Sequence, residues 1–132
     1  MAGELILIIE DNDKNRKLAR DVLQVKGYKT IESETAEEGL ELARNQSPAL
    51  ILMDIQLPGM DGLQLTRHLR RDASLNGVPI VAFTASAIKG DEDIALASGC
   101  DGYVTKPIDT RTLGNQVREF LNHARPARTH AS

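Results

Sequence analysis

The sequence predicts a single α/β domain: a parallel sheet of five strands, doubly wound, with helices on both faces. Three observations carry that expectation. Short apolar runs of strand length alternate along the chain with segments of helical period. Two of the runs, Leu5 to Ile9 and Leu50 to Met53, are apolar at every position, as in strands buried on both faces of a parallel sheet. Both runs end in carboxylates, Glu10 and Asp11 after the first and Asp54 after the other, and Pro58, Gly59, Asp61 and Gly62 then force a turn.

The first strand, Leu5 to Ile9, opens into the acidic loop Glu10, Asp11, Asn12 and Asp13. Leu18, Val22 and Val25, spaced four and three apart with Arg16, Lys17, Arg20 and Asp21 between them, predict a helix and its apolar stripe, stopped by Gly27. Tyr28 to Ser33 is a more polar run and belongs at a sheet edge. Thr35 with Glu38 makes a capping box for a second helix, lined by Ala36, Leu40 and Ala43 and ended before Pro48. Leu50 to Asp54 is the third strand. Leu65 and Leu69 mark a third helix, whose other face carries Arg67, Arg70 and Arg71 in solvent. Pro79 leads into a fourth strand, Ile80 to Phe83, which ends at Thr84. Lys89 to Ala97, closed by Gly99, is a helix with little apolar surface to hold it. Gly102 to Thr105 is a short fifth strand ended by Lys106 and Pro107, and Asp109 caps a last helix carrying Leu113, Val117, Phe120 and Leu121. The domain is read as 1–123, with 124–132 a disordered polar tail.

Composition excludes several classes of function. A net charge of −3 lacks the basic excess that grips nucleic acid through its phosphates. No apolar run approaches the roughly 20 residues of a membrane span, and the amino terminus turns acidic too soon for a signal peptide, so the expected location is cytoplasmic. Cys100, the single cysteine, has no partner for a disulfide or zinc site and reads as a small buried hydrophobe. Aromatics at 3% without tryptophan offer no stacking surface for bases or flavins.

The chemistry gathers at the strand ends, where Glu10 and Asp11, Asp54, Thr84 and Lys106 follow the first, third, fourth and fifth strands. With the first and third strands adjacent, the acids converge at a topological switch point. Two like charges about 4 Å apart cost on the order of 4 kcal/mol at an effective dielectric of 20, so either a proton is trapped or a cation is bound. An all-oxygen site without His or Cys favours Mg²⁺. Lys106 suits a phosphoryl oxygen, Thr84 offers a hydroxyl to a second, and a carboxylate is a competent nucleophile towards phosphorus. Phosphoryl transfer asks mainly for positioning and charge neutralisation. Each residue also has a plainer reading: Asp54 as a turn cap, Thr84 as a β-branched strand residue, Tyr103 as core filling, Lys106 as a solvated turn residue, and Lys14, Arg16 and Lys17 as a solvated face.

The segments IIEDN at 8–12, LILMDIQLPGMDG at 50–62, FTA at 83–85 and TKP at 105–107, in this order and at these separations, resemble the receiver domain of bacterial response regulators, the CheY-like family. The resemblance runs from Leu5 to Leu121. Within the family, ILMDIQLPGMDG and SAIKGDEDIALASGCDGYVTKPI are similar to stand-alone receivers of the DivK type and to receivers attached to hybrid sensor kinases. The resemblance implies a flavodoxin-like (βα)5 fold with strand order 2-1-3-4-5. It implies that Asp54 accepts a phosphoryl group from a phosphohistidine, that Asp11, Asp54 and the backbone carbonyl of Gln56 bind Mg²⁺, and that Glu10 holds a metal-bound water. Glu10 departs from the commoner Asp but keeps its charge.

Lys106 is then expected on a phosphoryl oxygen, Pro107 cis, Thr84 and Tyr103 as the switch pair, and Ala85 small enough to leave the phosphoryl group room. The implied partners are a histidine kinase or histidine phosphotransfer protein, and a downstream protein effector on the face of the fourth helix, fifth strand and fifth helix. Neither nucleic acid nor membrane is expected as a partner, and the chain is expected to be a monomer or weak dimer. With no output domain expected, the signal leaves through a partner or by onward transfer. The chain is expected to catalyse its own phosphorylation and dephosphorylation rather than to turn over another substrate. Two alternatives stand beside this reading. One is a haloacid-dehalogenase-like phosphatase using Asp11, which leaves Asp54 unexplained; the other is a flavodoxin-like binding module, whose phosphate the acidic first loop would repel.

Overall fold

The computed structural model describes residues 3–54, 62–73, 75, 77–84, 99–105 and 110–122. Its strands are β1 (Leu5–Ile9), β2 (Lys29–Ser33), β3 (Leu50–Asp54), β4 (Ile80–Thr84) and β5 (Gly102–Thr105). They lie parallel in the order β2-β1-β3-β4-β5, as expected, with the more polar β2 at an edge. Parallel neighbours need a crossover between them. Among the described residues these are α1 (Asp13–Val25), α2 (Ala36–Gln46) and α3 (Gly62–Arg71), while α4 (Leu113–Asn122) follows β5. The expected helix over 89–97, the Asp109 cap and the tail lie outside the described residues.

Alternation along each strand sends side chains to opposite faces of the sheet and so makes two cores. Ile6, Ile8, Leu50, Leu52, Val81, Phe83 and Val104 meet Ala19 and Leu23 of α1 and Leu113 and Val117 of α4. Leu7, Ile9, Ile51, Met53 and Ala82 meet Ala36 and Ala43 of α2 and Leu65 and Leu69 of α3. Each fully buried Leu or Ile contributes about 1.5–3 kcal/mol relative to exposure, and β1 and β3 are buried from Ile6 to Asp54 at nearly every position. Cys100 is a buried thiol, as expected.

Three expectations are corrected. On α1 the stripe is turned by one residue: Leu18 is 37% and Val25 85% exposed, while Ala19 and Leu23 are fully buried and Val22 is only partly so. The period is helical, but the phase differs, because the rotation of a helix about its own axis is set by the sheet it packs on and not by its own repeat. The second strand starts at Lys29, since the Tyr28 N–H is turned back to cap the end of α1, donating to the Leu23 carbonyl at 3.1 Å. Gly27 makes that exit possible with φ of 94°.

The third correction concerns Arg70. Arg67 and Arg71 are exposed as expected, but the Arg70 guanidinium donates to the Gly99 and Val78 carbonyls at 2.9 and 2.7 Å and to the Asp101 carboxylate. Asp101 also accepts from the Ile80 N–H at 2.9 Å. The long stem lets Arg70 turn inward and tie α3 to the amino ends of β4 and β5, at the edge of the sheet opposite the acids.

Candidate functional site

The carboxyl edge of the sheet is where the acids meet, and strand register brings them there. Ile9 of β1 pairs with Met53 of β3, so Glu10 and Asp54, each one residue further on, emerge level with one another. By alternation both fall on the face of Ile8 and Leu52. Glu10 is fully buried and Asp54 is 4% exposed, whereas Asp11 is exposed. One carboxylate oxygen from each of the three lies within 4.8 Å of the others.

The loop between β1 and α1 is built to hold this arrangement. Asn12 caps α1 by accepting from the Asn15 N–H at 3.0 Å, and its own N–H donates to Glu10 Oε2 at 3.1 Å. The Glu10 N–H donates to the Ser33 carbonyl at 3.0 Å, which continues the β1–β2 ladder one step past the strand. The Glu10 carbonyl accepts from Arg16 Nη1 at 2.8 Å. Through the Asn12 N–H the Glu10 carboxylate contacts the cap residue at the amino terminus of α1, the end of a helix that carries about half a positive charge.

Those donors offset only part of the repulsion. Two charges 4.8 Å apart repel by about 3.5 kcal/mol at an effective dielectric of 20. Three carboxylates, two of them buried, make an all-oxygen donor set that fits a hard divalent cation, and the exposed Asp11 leaves it a route from solvent.

The structure thus brings Glu10, Asp11 and Asp54 together. Tyr103 pairs with Ala82 in register and is partly buried against the α2 and α3 core, so the core-filling contact is present. Thr84 pairs with Thr105 at the end of β4; its side chain, and Gln56, Ala85, Lys106 and Pro107, lie outside the described residues. Lys14 and Lys17 are exposed, as a solvated face requires.

Arg16 is not part of that face. Its side chain is 13% exposed, paired with Asp13, 3.4 Å from Glu32 and 4.0 Å from Glu34. Sequence reasoning missed its role and those of Asn12 and Ser33. The only local signal was the Asp13–Arg16 spacing of three, which marks a helix-surface pair and not a contact to the strand.

A model of the response regulator receiver domain matches residues 6–118. The chain is 43% identical over 119 residues to the polar-differentiation response regulator DivK of Brucella ovis, covering 90% of this chain and 97% of that protein. Among solved structures, the receiver domain of sensor histidine kinase PA1611 from Pseudomonas aeruginosa PAO1, with a magnesium ion coordinated in its active site cleft, is similar with a TM-score of 0.85. It shares 32% identity, with 92% of this chain and 99% of that one covered. A CheY-like receiver domain protein from Methanospirillum hungatei JF-1 has a TM-score of 0.84 at 29% identity, covering 92% and 96%. The match runs unbroken from β1 into α4, over a sheet whose switch point carries the three acids, and the chain belongs to the response regulator receiver domain family of two-component signalling.

Proposed function

We propose that the chain accepts a phosphoryl group from a phosphohistidine onto Asp54, with Mg²⁺ bound beside it, and thereby switches a protein-binding surface. The observation that carries this reading is the placement of Asp54, 4% exposed at the carboxyl end of β3 with Glu10 and Asp11 in reach. Asp11, Asp54 and the Gln56 carbonyl would hold the ion directly and Glu10 through a water. When bound, it neutralises the carboxylates and the phosphoryl oxygens so that an anionic donor can approach.

The remaining work falls to the chain itself. A carboxylate oxygen of Asp54 forms the new bond to phosphorus as the phosphorus–nitrogen bond of the donor breaks, and the leaving imidazole keeps the electron pair. Glu10, fixed by the Asn12 N–H and by its own backbone bonds, supplies buried charge that does not move during the reaction. Lys106, aimed by Pro107, pairs with a phosphoryl oxygen, and the Thr84 hydroxyl takes a second one. Drawing Thr84 inward frees space for Tyr103, which shifts the population of the surface formed by 89–97, β5 and α4.

Receiver domains exchange with histidine kinases and downstream effectors. Here the donor is a histidine kinase or histidine phosphotransfer protein, and a protein effector docks on the switched surface. The folded unit is 1–123, and catalysis is confined to its own phosphorylation and dephosphorylation. Charge of −3 argues against nucleic acid as a partner. No helix among the described residues is long and apolar enough to cross a membrane, in keeping with a cytoplasmic site of action.

The test is a mass measurement after incubation with acetyl phosphate and Mg²⁺. The wild-type chain gains one phosphoryl group and a folded Asp54→Asn variant gains none. Equal labelling of the variant would assign the acceptor elsewhere.

A further inference from the structure

We infer that Arg16 is a positioning residue for the acidic site: its guanidinium sets the plane of the peptide joining Glu10 to Asp11, and so aims both carboxylates at the cation. The inference rests on the reading above, in which these carboxylates hold Mg²⁺. Arg16 Nη1 donates to the Glu10 carbonyl at 2.8 Å. That carbonyl and the Asp11 N–H belong to one planar unit, so anchoring one end fixes where the Asp11 backbone, and hence its side chain, begins. Two further anchors of Glu10 among those described are backbone groups: its N–H donates to the Ser33 carbonyl and its Oε2 accepts from the Asn12 N–H. Arg16 adds a side-chain anchor to them.

Arg16 is itself held from behind. Its side chain is 13% exposed, with Nη2 paired to Asp13 and 4.0 Å from Glu34, and Nε 3.4 Å from Glu32. The planar fork of a guanidinium serves a carbonyl and flanking carboxylates together, which a lysine ammonium on a flexible stem does not. Glu32 is shared with Arg20 at 3.4 Å, so the brace continues along α1 to the edge strand β2.

The sign of one measurement separates positioning from simple electrostatics. Arg16 is a positive charge beside a cation site, so on Coulomb grounds alone its removal tightens Mg²⁺ binding. Removal of a group that orients metal ligands weakens it instead, typically by 10–100-fold. Calorimetric titration of Mg²⁺ into the full chain is therefore run on wild type, Arg16→Met, Arg16→Lys and Arg20→Met. Arg20→Met removes the same charge from the same helix and breaks the Arg20–Glu32 pair, but Arg20 makes no hydrogen bond to Glu10 among those described.

Arg16→Met is expected to weaken Mg²⁺ binding by at least about tenfold, Arg16→Lys by less, and Arg20→Met not at all. A smaller loss in Arg16→Met, tighter binding, or an equal loss in Arg20→Met overturns the inference. Should Arg16→Met fail to fold by circular dichroism, Arg16→Lys decides: binding weaker than in Arg20→Met upholds the inference, and equal or tighter binding overturns it. A wild-type chain that takes up no Mg²⁺ overturns the reading of the site itself, and this inference falls with it.

Discussion

Asp11→Asn removes one of the three clustered negative charges while disturbing little packing, because Asp11 is exposed whereas Glu10 is fully buried and Asp54 nearly so. Its carboxylate lies within 4.8 Å of both neighbours. At that distance each pair repels by about 3.5 kcal/mol at an effective dielectric of 20 and about 0.9 kcal/mol at that of water. An exposed group sits towards the second limit, so the variant should be more stable than wild type by about 1–2 kcal/mol at low salt without metal. With Mg²⁺ the order should reverse. At a concentration one hundred times its dissociation constant, a ligand stabilises the state that binds it by about 2.7 kcal/mol, and the variant has given up one of the ligands. Urea unfolding at low ionic strength, once in chelator and once in Mg²⁺, reads both halves, and the gain in chelator should shrink as salt is added. A variant less stable than wild type in chelator, or an order that Mg²⁺ leaves unchanged, would refute the view that repulsion among these acids drives cation binding.

Arg70→Met takes the guanidinium away from the Gly99 and Val78 carbonyls and from the Asp101 carboxylate, which keeps the Ile80 N–H. It should cost about 3 kcal/mol in urea unfolding, against no more than about 0.5 kcal/mol for Arg67→Met on the exposed face. The two-pronged bond from Arg118, at 2.8 and 3.2 Å, pulls the Glu4 carboxyl from its ordinary 4.5 down to about 2. A depressed value stabilises the fold above the unfolded pKa and loses that effect as pH falls from about 4.5 towards 2. Because the pair is partly solvated and screened, Glu4→Gln should lower stability by about 1 kcal/mol at pH 7, and thermal unfolding at pH 3 should show a smaller difference.

The strand positions to within a residue, the edge location of β2, the parallel arrangement and the identity of the clustered acids were legible in the chain, while the order 2-1-3-4-5 came from the family resemblance. Apolar run length and alternation are local properties, and a carboxylate at the end of a buried run has few places to go. The α1 interface was not legible to within one residue: Leu18 and Val25 made the better apolar stripe on paper, yet Ala19 and Leu23 are the ones covered. Periodicity gives a helix its repeat, but its rotation about its own axis answers to the sheet it lands on. Arg16 and Arg70 were unreadable for the same kind of reason. Each looks like its solvated neighbours until the fold supplies a carbonyl to hold, and the acids that complete the setting come from other elements, Glu32 on β2 for one and Asp101, 31 positions away, for the other. Glu4 and Arg118 are separated by 114 positions. A long cationic side chain costs little to expose and gains much when a buried acceptor comes within reach, and that balance is settled by contacts between segments that the linear order keeps apart.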